Sequence, residues 1–197
     1  LMTPMLGIMA SQISGHLVPP YDGPYGAFDS LATVTLSATT ASITFAGIPS
    51  GYKHLQIRAM MLTNTTGVDA PYLRYNENSA ANYTLHTLLG EGISARAQGI
   101  INMTGINIGG FWNGTIGSFP SVSIIDVLDY SSVNKYKTTR AFAGQDNNST
   151  LGSVGISSGL WRGSTGSSTE AIHSITIYNS GSTTFSTNSS FALYGVK

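Results

Sequence analysis

Cysteine is absent from this 197-residue sequence, and charged residues are scarce. Without cysteine the chain can form neither a disulfide framework nor a thiolate metal site. Charged residues make up 9% of the chain, compared with about 25% in an average globular protein. The 9 basic and 9 acidic residues balance, so no basic field is available to attract nucleic acid. The surface must therefore consist largely of Ser, Thr, Asn and Gly, a neutral composition that suits a protein packed among neighbours in an assembly.

The N-terminal segment lacks the features of a targeting or membrane sequence. Its residues are LMTPMLGIMASQISGHLVPPYDGPYG, with no charge before Asp22. A secretory signal needs a positive start and an unbroken apolar core of about 7–15 residues, and a membrane span needs about 20 apolar residues. Here the first lysine is Lys53, and the apolar run over residues 5–10 is short and contains a glycine. The sequence therefore predicts neither a secretion signal nor contact with a membrane.

The apolar residues of this segment favour a docking role. Several recur at spacings of three and four residues, which would place them on one side of a short helix. Two successive prolines then hold the chain extended. The alternative is a disordered tail, but an apolar tail in water promotes aggregation. We therefore predict an N-terminal docking arm over residues 1–27, with four apolar side chains buried in a partner chain: Leu6, Ile8, Met9 and Ile13.

Beyond this arm, apolar and polar residues alternate with a period of two. The clearest case is HLQIRAMML, whose inward-facing residues would be Leu55, Ile57, Ala59 and Met61. The segments ATVTLS and ASITF alternate in the same way around a turn-like SATTA, so they predict a β-hairpin. About ten such short segments, separated by turns, are typical of a sandwich or jelly roll. We predict an all-β fold over residues 28–197, an antiparallel β-sandwich of jelly-roll-like character.

The sequence contains no recognisable catalytic or metal-binding motif. There is no GxSxG elbow, no P-loop and no HExxH or HxH pair among the four histidines. Asp126 and Asp129 lie three residues apart on a predicted strand, so they would point to opposite faces and could not act as a paired acid and base. If the row that Asp126 shares with Val122 and Ile124 faces inward, this carboxylate would be a structural hydrogen-bond hub. We predict a protein that is not an enzyme and needs no metal or cofactor.

The two tryptophans indicate one further kind of site. Trp112 lies in the glycine-rich segment GGFWNG, and Trp161 lies in SSGLWRGSTG. A tryptophan exposed on such a loop could stack on a sugar ring, while neighbouring Asn, Ser and Arg side chains bind the hydroxyl groups. Alternatively, each tryptophan could close one end of the sandwich core, which is the commoner role. Trp112 and Trp161 are therefore candidate glycan contacts, with burial as the alternative.

Several segments of the chain are similar to one group of known proteins. The first is FDSLATVTLSATTASITFAGIPSGYKHLQIRAMM, and the similarity continues through IIDVLDYSSVNKYKTTRAFAGQDN, SSGLW and AIHSITIY to SSFALYGVK. IPSGYKHLQIR and FALYGVK are the most specific parts, and PMLGIMAS in the arm also matches some members. These segments resemble small β-sandwich virion structural proteins of tailed bacteriophages. The resemblance covers most of residues 28–197 and supplies no catalytic residue.

This resemblance implies a non-enzymatic structural protein on the surface of a bacteriophage particle. A chain of this length, if complete, is too short for a long fibre. An anchoring arm suits a capsid decoration or cement protein, or a head fibre, that binds other virion proteins such as the major capsid protein. The alternative is a tail-fibre module that binds host surface glycans. Virion appendages are commonly trimeric, so the resemblance also implies a homotrimer.

Overall fold

The computed structural model describes residues 26–63, 68–109, 112–113, 119–145, 152–181 and 183–197. Within these ranges the chain forms strands, turns and loops, and no helix. The strands are β1 (Phe28–Thr35), β2 (Ser42–Ala46), β3 (His54–Met61), β4 (Val68–Asp69), β5 (Pro71–Tyr75), β6 (Tyr83–Glu91), β7 (Ser94–Met103), β8 (Ile106–Asn107), β9 (Trp112–Asn113), β10 (Ser121–Leu128), β11 (Lys137–Gln145), β12 (Ser153–Trp161), β13 (Ser174–Asn179) and β14 (Ser190–Val196).

The strands form two main antiparallel sheets that enclose one apolar core. The large sheet has eight strands in the order β1-β14-β3-β10-β11-β12-β6-β7. The small sheet has four strands in the order β2-β13-β5-β8, and β4 pairs with β9 in a separate two-stranded ladder. The predicted all-β antiparallel sandwich is thus confirmed for the described part of the chain.

The core lies between the inner faces of the two sheets. β3 follows the predicted alternation, since Leu55, Ile57 and Met61 are fully buried and Ala59 is nearly so. The small sheet contributes fully buried residues to the same cluster, including Ile175 and Ile177 of β13. The removal of these side chains from water is the main force that holds the two sheets together.

The predicted hairpin between the first two strands does not form. β1 pairs with β14 in the large sheet, whereas β2 pairs with β13 in the small sheet. The SATTA segment therefore carries the chain from one sheet to the other. Both strands exist where the alternation placed them, but a period of two identifies a strand and its faces without identifying its neighbour.

The pairing of β1 with β14 brings the first and last strands together at one edge of the large sheet. The ammonium group of Lys197 lies 2.7 Å from a carboxylate oxygen of Asp29, and this hydrogen bond lowers the pKa of the Asp29 carboxyl. Because β1 is an edge strand, the first strand of the domain lies at this edge of the large sheet.

Parts of three central strands of the large sheet have small residues on the inner face and large apolar residues on the outer face, although β10 also buries Ile125 and Val127 on its inner face. In β12, for example, Gly155, Ser157 and Gly159 are buried, while Val154 and Ile156 are exposed. The small inner residues make room for the segment around β8. A Cβ atom at position 159 would lie 2.5–2.7 Å from the side-chain carbons of Ile106, and the Ser123 hydroxyl in β10 donates a hydrogen bond to the Ile108 carbonyl at 2.5 Å. Close packing of β8 therefore reverses the usual distribution of side-chain size.

This arrangement predicts opposite behaviour for two glycines of neighbouring strands. Gly159→Ala should lower the free energy of unfolding by about 1–3 kcal/mol, because the new methyl group overlaps Ile106 in a packed core. Gly144→Ala is the matched control, since its nearest neighbour would be the Ser153 carbonyl oxygen at 3.7 Å. That substitution should leave stability unchanged or raise it slightly. Urea denaturation followed by fluorescence tests both, and equal losses would contradict the packing argument.

Candidate functional site

The outer face of the large sheet carries an unusual concentration of exposed apolar side chains. Their exposed fractions range from 38% for Met60 to 60% for Leu88. They come from five neighbouring strands, β3, β10, β11, β12 and β6. We call this group of seven residues the apolar face: Met60, Leu88, Val122, Ile124, Phe142, Val154 and Ile156.

Strand register arranges four of these residues in a continuous row. Ile124 of β10 lies opposite Phe142 of β11, Phe142 lies opposite Ile156 of β12, and Ile156 lies opposite Leu88 of β6. Directly opposed residues on one side of an antiparallel sheet have Cβ atoms about 4.5–5.5 Å apart. The four side chains therefore form one apolar ridge across four strands of the sheet.

A second row, one pleat away, alternates side chains with glycines. Met60 lies opposite Val122, and the row continues through Gly144 to Val154 and then to Gly90. Because glycine has no side chain, the row has a depression on each side of Val154. One of these belongs to an open groove of about 510 Å³ between β11, β12, β6 and β7. The apolar face therefore combines protruding and recessed positions.

The ridge has the glycine-containing row on one side and a polar row on the other. Asp126 lies opposite Gln56 on one side and opposite Arg140 on the other. The Gln56 amide donates a hydrogen bond of 2.9 Å to the Asp126 carboxylate. The prediction that Asp126 is a buried hydrogen-bond hub was conditional on its side of β10 facing inward. That condition is not met, because Val122 and Ile124 on the same side of β10 are exposed. Asp126 thus lies on the outer face, where it forms part of a polar border to the apolar ridge.

The predicted glycan contact at Trp161 is also corrected. The Trp161 side chain is 0% exposed, because it belongs to β12 and faces inward, not to a surface loop. Its ring lies 5.5 Å from that of Tyr75 and is stacked at 6.3 Å on that of Tyr83, between centroids. Neither face of the indole can stack on a sugar, so Trp161 has the core role that was the alternative.

The other predicted contact residues are not placed by the structure. Leu6, Ile8, Met9 and Ile13 of the arm lie outside the described residues. The backbone of Trp112 belongs to β9 and pairs with Asp69 of β4, but its side chain lies outside what the structure describes. The docking and glycan predictions for these residues remain predictions.

Two ionisable groups, the buried Lys137 and the partly exposed Glu170, have structural partners. The Lys137 ammonium group, on the inner side of β11, donates hydrogen bonds of 2.6 Å to the carbonyls of Ser132 and Lys135, and burial lowers the pKa of Lys137. The Glu170 carboxylate accepts hydrogen bonds from Ser164 and Ser168, which lower its pKa. These contacts stabilise two loops at the same end of the large sheet, since Lys137 at the start of β11 lies opposite Trp161 at the end of β12.

The described residues contain no group of three or more acidic or histidine side chains close enough to hold a metal ion. His54 accepts a 3.0 Å hydrogen bond from the Asp129 amide at its Nδ1 atom, and His86 is exposed on the outer face of β6. Within the part of the chain described, no helix is long and apolar enough to cross a membrane.

The apolar face was missed by sequence reasoning, although its signal is present. In β10 the segment SVSIIDVL has apolar residues at both alternate positions, and AFAG in β11 and SVGIS in β12 place their largest residues between small ones. Such segments are two-sided: the small residues can face a close neighbour, while the large ones face outward. An alternating strand is usually interpreted as having one apolar and one polar face, and that interpretation does not allow for a strand with apolar residues on both faces.

No protein-family model matches the chain, and neither a curated protein nor a solved structure matches it.

Proposed function

We propose that this chain is a non-enzymatic structural protein of a bacteriophage particle. It would act as a decoration, cement or head-fibre protein on the particle surface, held there by its N-terminal arm. The observation that carries the proposal is the apolar face, which gives the domain a built surface for protein–protein contact. The location on a phage particle comes from the sequence resemblance alone.

The size of the apolar face supports a contact role. Isolated exposed apolar residues are normal on soluble proteins, but contiguous patches larger than a few hundred Å² mark interaction sites. Here seven such residues adjoin on five neighbouring strands. They are bordered on one side by the polar row of Gln56, Asp126 and Arg140. An apolar centre with a polar rim is the usual composition of a protein interface.

The low charge of the chain supports the same role. With a formal net charge of +0 and few ionisable groups, the domain can be packed densely among copies or partners without electrostatic repulsion. A surface-bound virion protein present in many copies has this requirement. A glycan-binding tail module is not favoured, because the one tryptophan side chain that the structure describes is buried.

The proposal is tested on particles of the phage that encodes the chain. Mass spectrometry and immunogold labelling of gradient-purified particles should find the protein on the particle surface. Phe142→Lys should reduce its copy number at least about tenfold, because it places a charge in the middle of the apolar ridge. Val133→Lys is the matched control, since Val133 is 59% exposed in the turn after β10. Absence of the wild-type protein from purified particles would overturn the proposed function.

A further inference from the structure

We propose that the apolar face binds the same face of a second copy of this chain. This inference shares one premise with the proposed function, namely that the apolar face is a protein contact surface. It adds the identity of the partner. Two large sheets would pack face to face about 10 Å apart, as sheets do within a β-sandwich. The contact would be isologous, which means that the same surface of both copies forms the interface.

The dimensions of the large sheet fit such a contact. Eight strands at a spacing of about 4.8 Å, each about eight residues long, give its whole outer side roughly 34 by 26 Å, and the apolar face lies on five of these strands. This area is close to the roughly 800 Å² that each partner buries in a standard protein interface. A second copy presents a sheet of the same length, width and twist, so it can cover the whole face.

The relief of the face is self-complementary. Phe142, which protrudes from the ridge, lies one pleat away from the depression at Gly144 on the same strand. An isologous contact requires the protruding and recessed parts to occur on one surface. The depression at Gly144 is open, because an added Cβ would have no neighbour nearer than 3.7 Å. The ridge of one copy can therefore enter the depressions of the other.

The charges near the face do not oppose pairing. The Arg58 guanidinium, at one end of the ridge, lies over the rings of Phe28 and Tyr194 of its own chain, at 5.8 and 5.3 Å from their centroids. The Asp126 carboxylate is hydrogen-bonded to Gln56. Arg58 ends the ridge row opposite Ile124, and Arg140 borders it opposite Asp126. These charges lie at the border of the two apolar rows, where the polar rim of an interface keeps its contact with water.

Isologous pairing predicts two copies in the complex, in place of the three that the resemblance implies. Sedimentation equilibrium of the full chain should therefore give twice the mass of one chain. The variant Phe142→Thr/Ile156→Thr should raise the dissociation constant at least about 100-fold, since each substitution acts twice in the dimer. Threonine is β-branched, a shape that strands favour, so both strands should be retained. The control Ile93→Thr/Val133→Thr removes two apolar groups that are more exposed but lie off the face, and it should remain dimeric.

A second variant separates specific pairing from non-specific hydrophobic association. Gly144→Leu adds apolar surface to the face, so it would strengthen a non-specific association. In the proposed dimer it fills the depression that the partner's ridge enters, so the dissociation constant should rise at least about tenfold. Circular dichroism that matches wild type confirms that the variant is folded.

The outcomes separate this inference from the proposed function. A wild-type chain that is monomeric at about 100 μM, far above the dissociation constants of standard interfaces, would overturn pairing. If that monomer still enters particles through the apolar face, the proposed function stands and the partner is another particle protein. A mass of three chains, or tighter association of Gly144→Leu, would also overturn the isologous dimer.

Discussion

Replacement of Trp161 by Ala is expected to lower the free energy of unfolding by about 3–5 kcal/mol, the range found for large aromatic residues in packed cores. Trp161 is the last residue of β12 and the largest fully buried side chain among the described residues. Its indole N–H contacts no acceptor among the described residues, so packing holds the ring in place. The loss of stability should therefore increase with the side-chain volume that the substitution removes.

The cavity left by this substitution cannot collapse easily, because its walls are fixed by hydrogen bonds. The Tyr75 hydroxyl is hydrogen-bonded to the Thr139 hydroxyl, and the Tyr83 hydroxyl donates to the Asn78 carbonyl at 3.0 Å. Burial raises the pKa of both tyrosines well above the usual range, so these hydroxyls stay protonated at neutral pH. A cavity with rigid walls gives a cost at the upper end of the range.

Urea denaturation of the folded variants measures this effect. Tyr136→Ala is the control, since Tyr136 is 40% exposed and its truncation should change stability by no more than about 0.5 kcal/mol. Trp161→Phe should fall between the two, because a smaller ring still fills part of the site. If Trp161→Ala kept wild-type stability and lost only glycan binding, the buried position of this residue would be contradicted.

The sequence predicted the elements of the fold better than their partners. β3 could be assigned to the correct face from HLQIRAMML alone, because polar residues alternate with Leu55, Ile57 and Met61. The hairpin prediction for β1 and β2 failed because strand pairing here is long-range: β1 pairs with the last strand, β14. No local pattern records which distant strand completes a ladder.

The candidate site was harder to predict because it depends on which side of a strand is covered. In β10 both rows contain large apolar residues, Val122 and Ile124 in one and Ile125 and Val127 in the other, so alternation alone does not identify the inner row. The inner row begins with Ser121 and Ser123, which β8 and its neighbours require to be small. Which side of β10 faces inward is determined by the position of Ile106 and Ile108, and the small sheet sets that position. The assignment of β12 to a loop around Trp161 failed for the same reason, since glycines and serines fill its inner row.

The apolar face and the N-terminal arm would perform separate tasks in the proposed assembly. Each apolar side chain of the arm contributes roughly 1.5–3 kcal/mol on burial, while the ordering of each residue costs about 1–2 kcal/mol. One arm therefore gives a weak attachment. Pairing through the apolar face would join two arms in one unit, and linked binding of this kind can raise avidity by about 10²–10⁴-fold without any new contact.

Deletion of residues 1–20 is accordingly expected to abolish incorporation into particles while the β-sandwich stays folded. The strands that the structure describes run from Phe28 to Val196, so circular dichroism and the thermal midpoint should match those of the full chain. Copy number on purified particles, measured by quantitative mass spectrometry, should fall to background. The variant Phe142→Thr/Ile156→Thr, with the arm intact, should instead reduce occupancy without abolishing it, because single arms still bind. If the truncated chain is incorporated at normal occupancy, the arm is not the anchor.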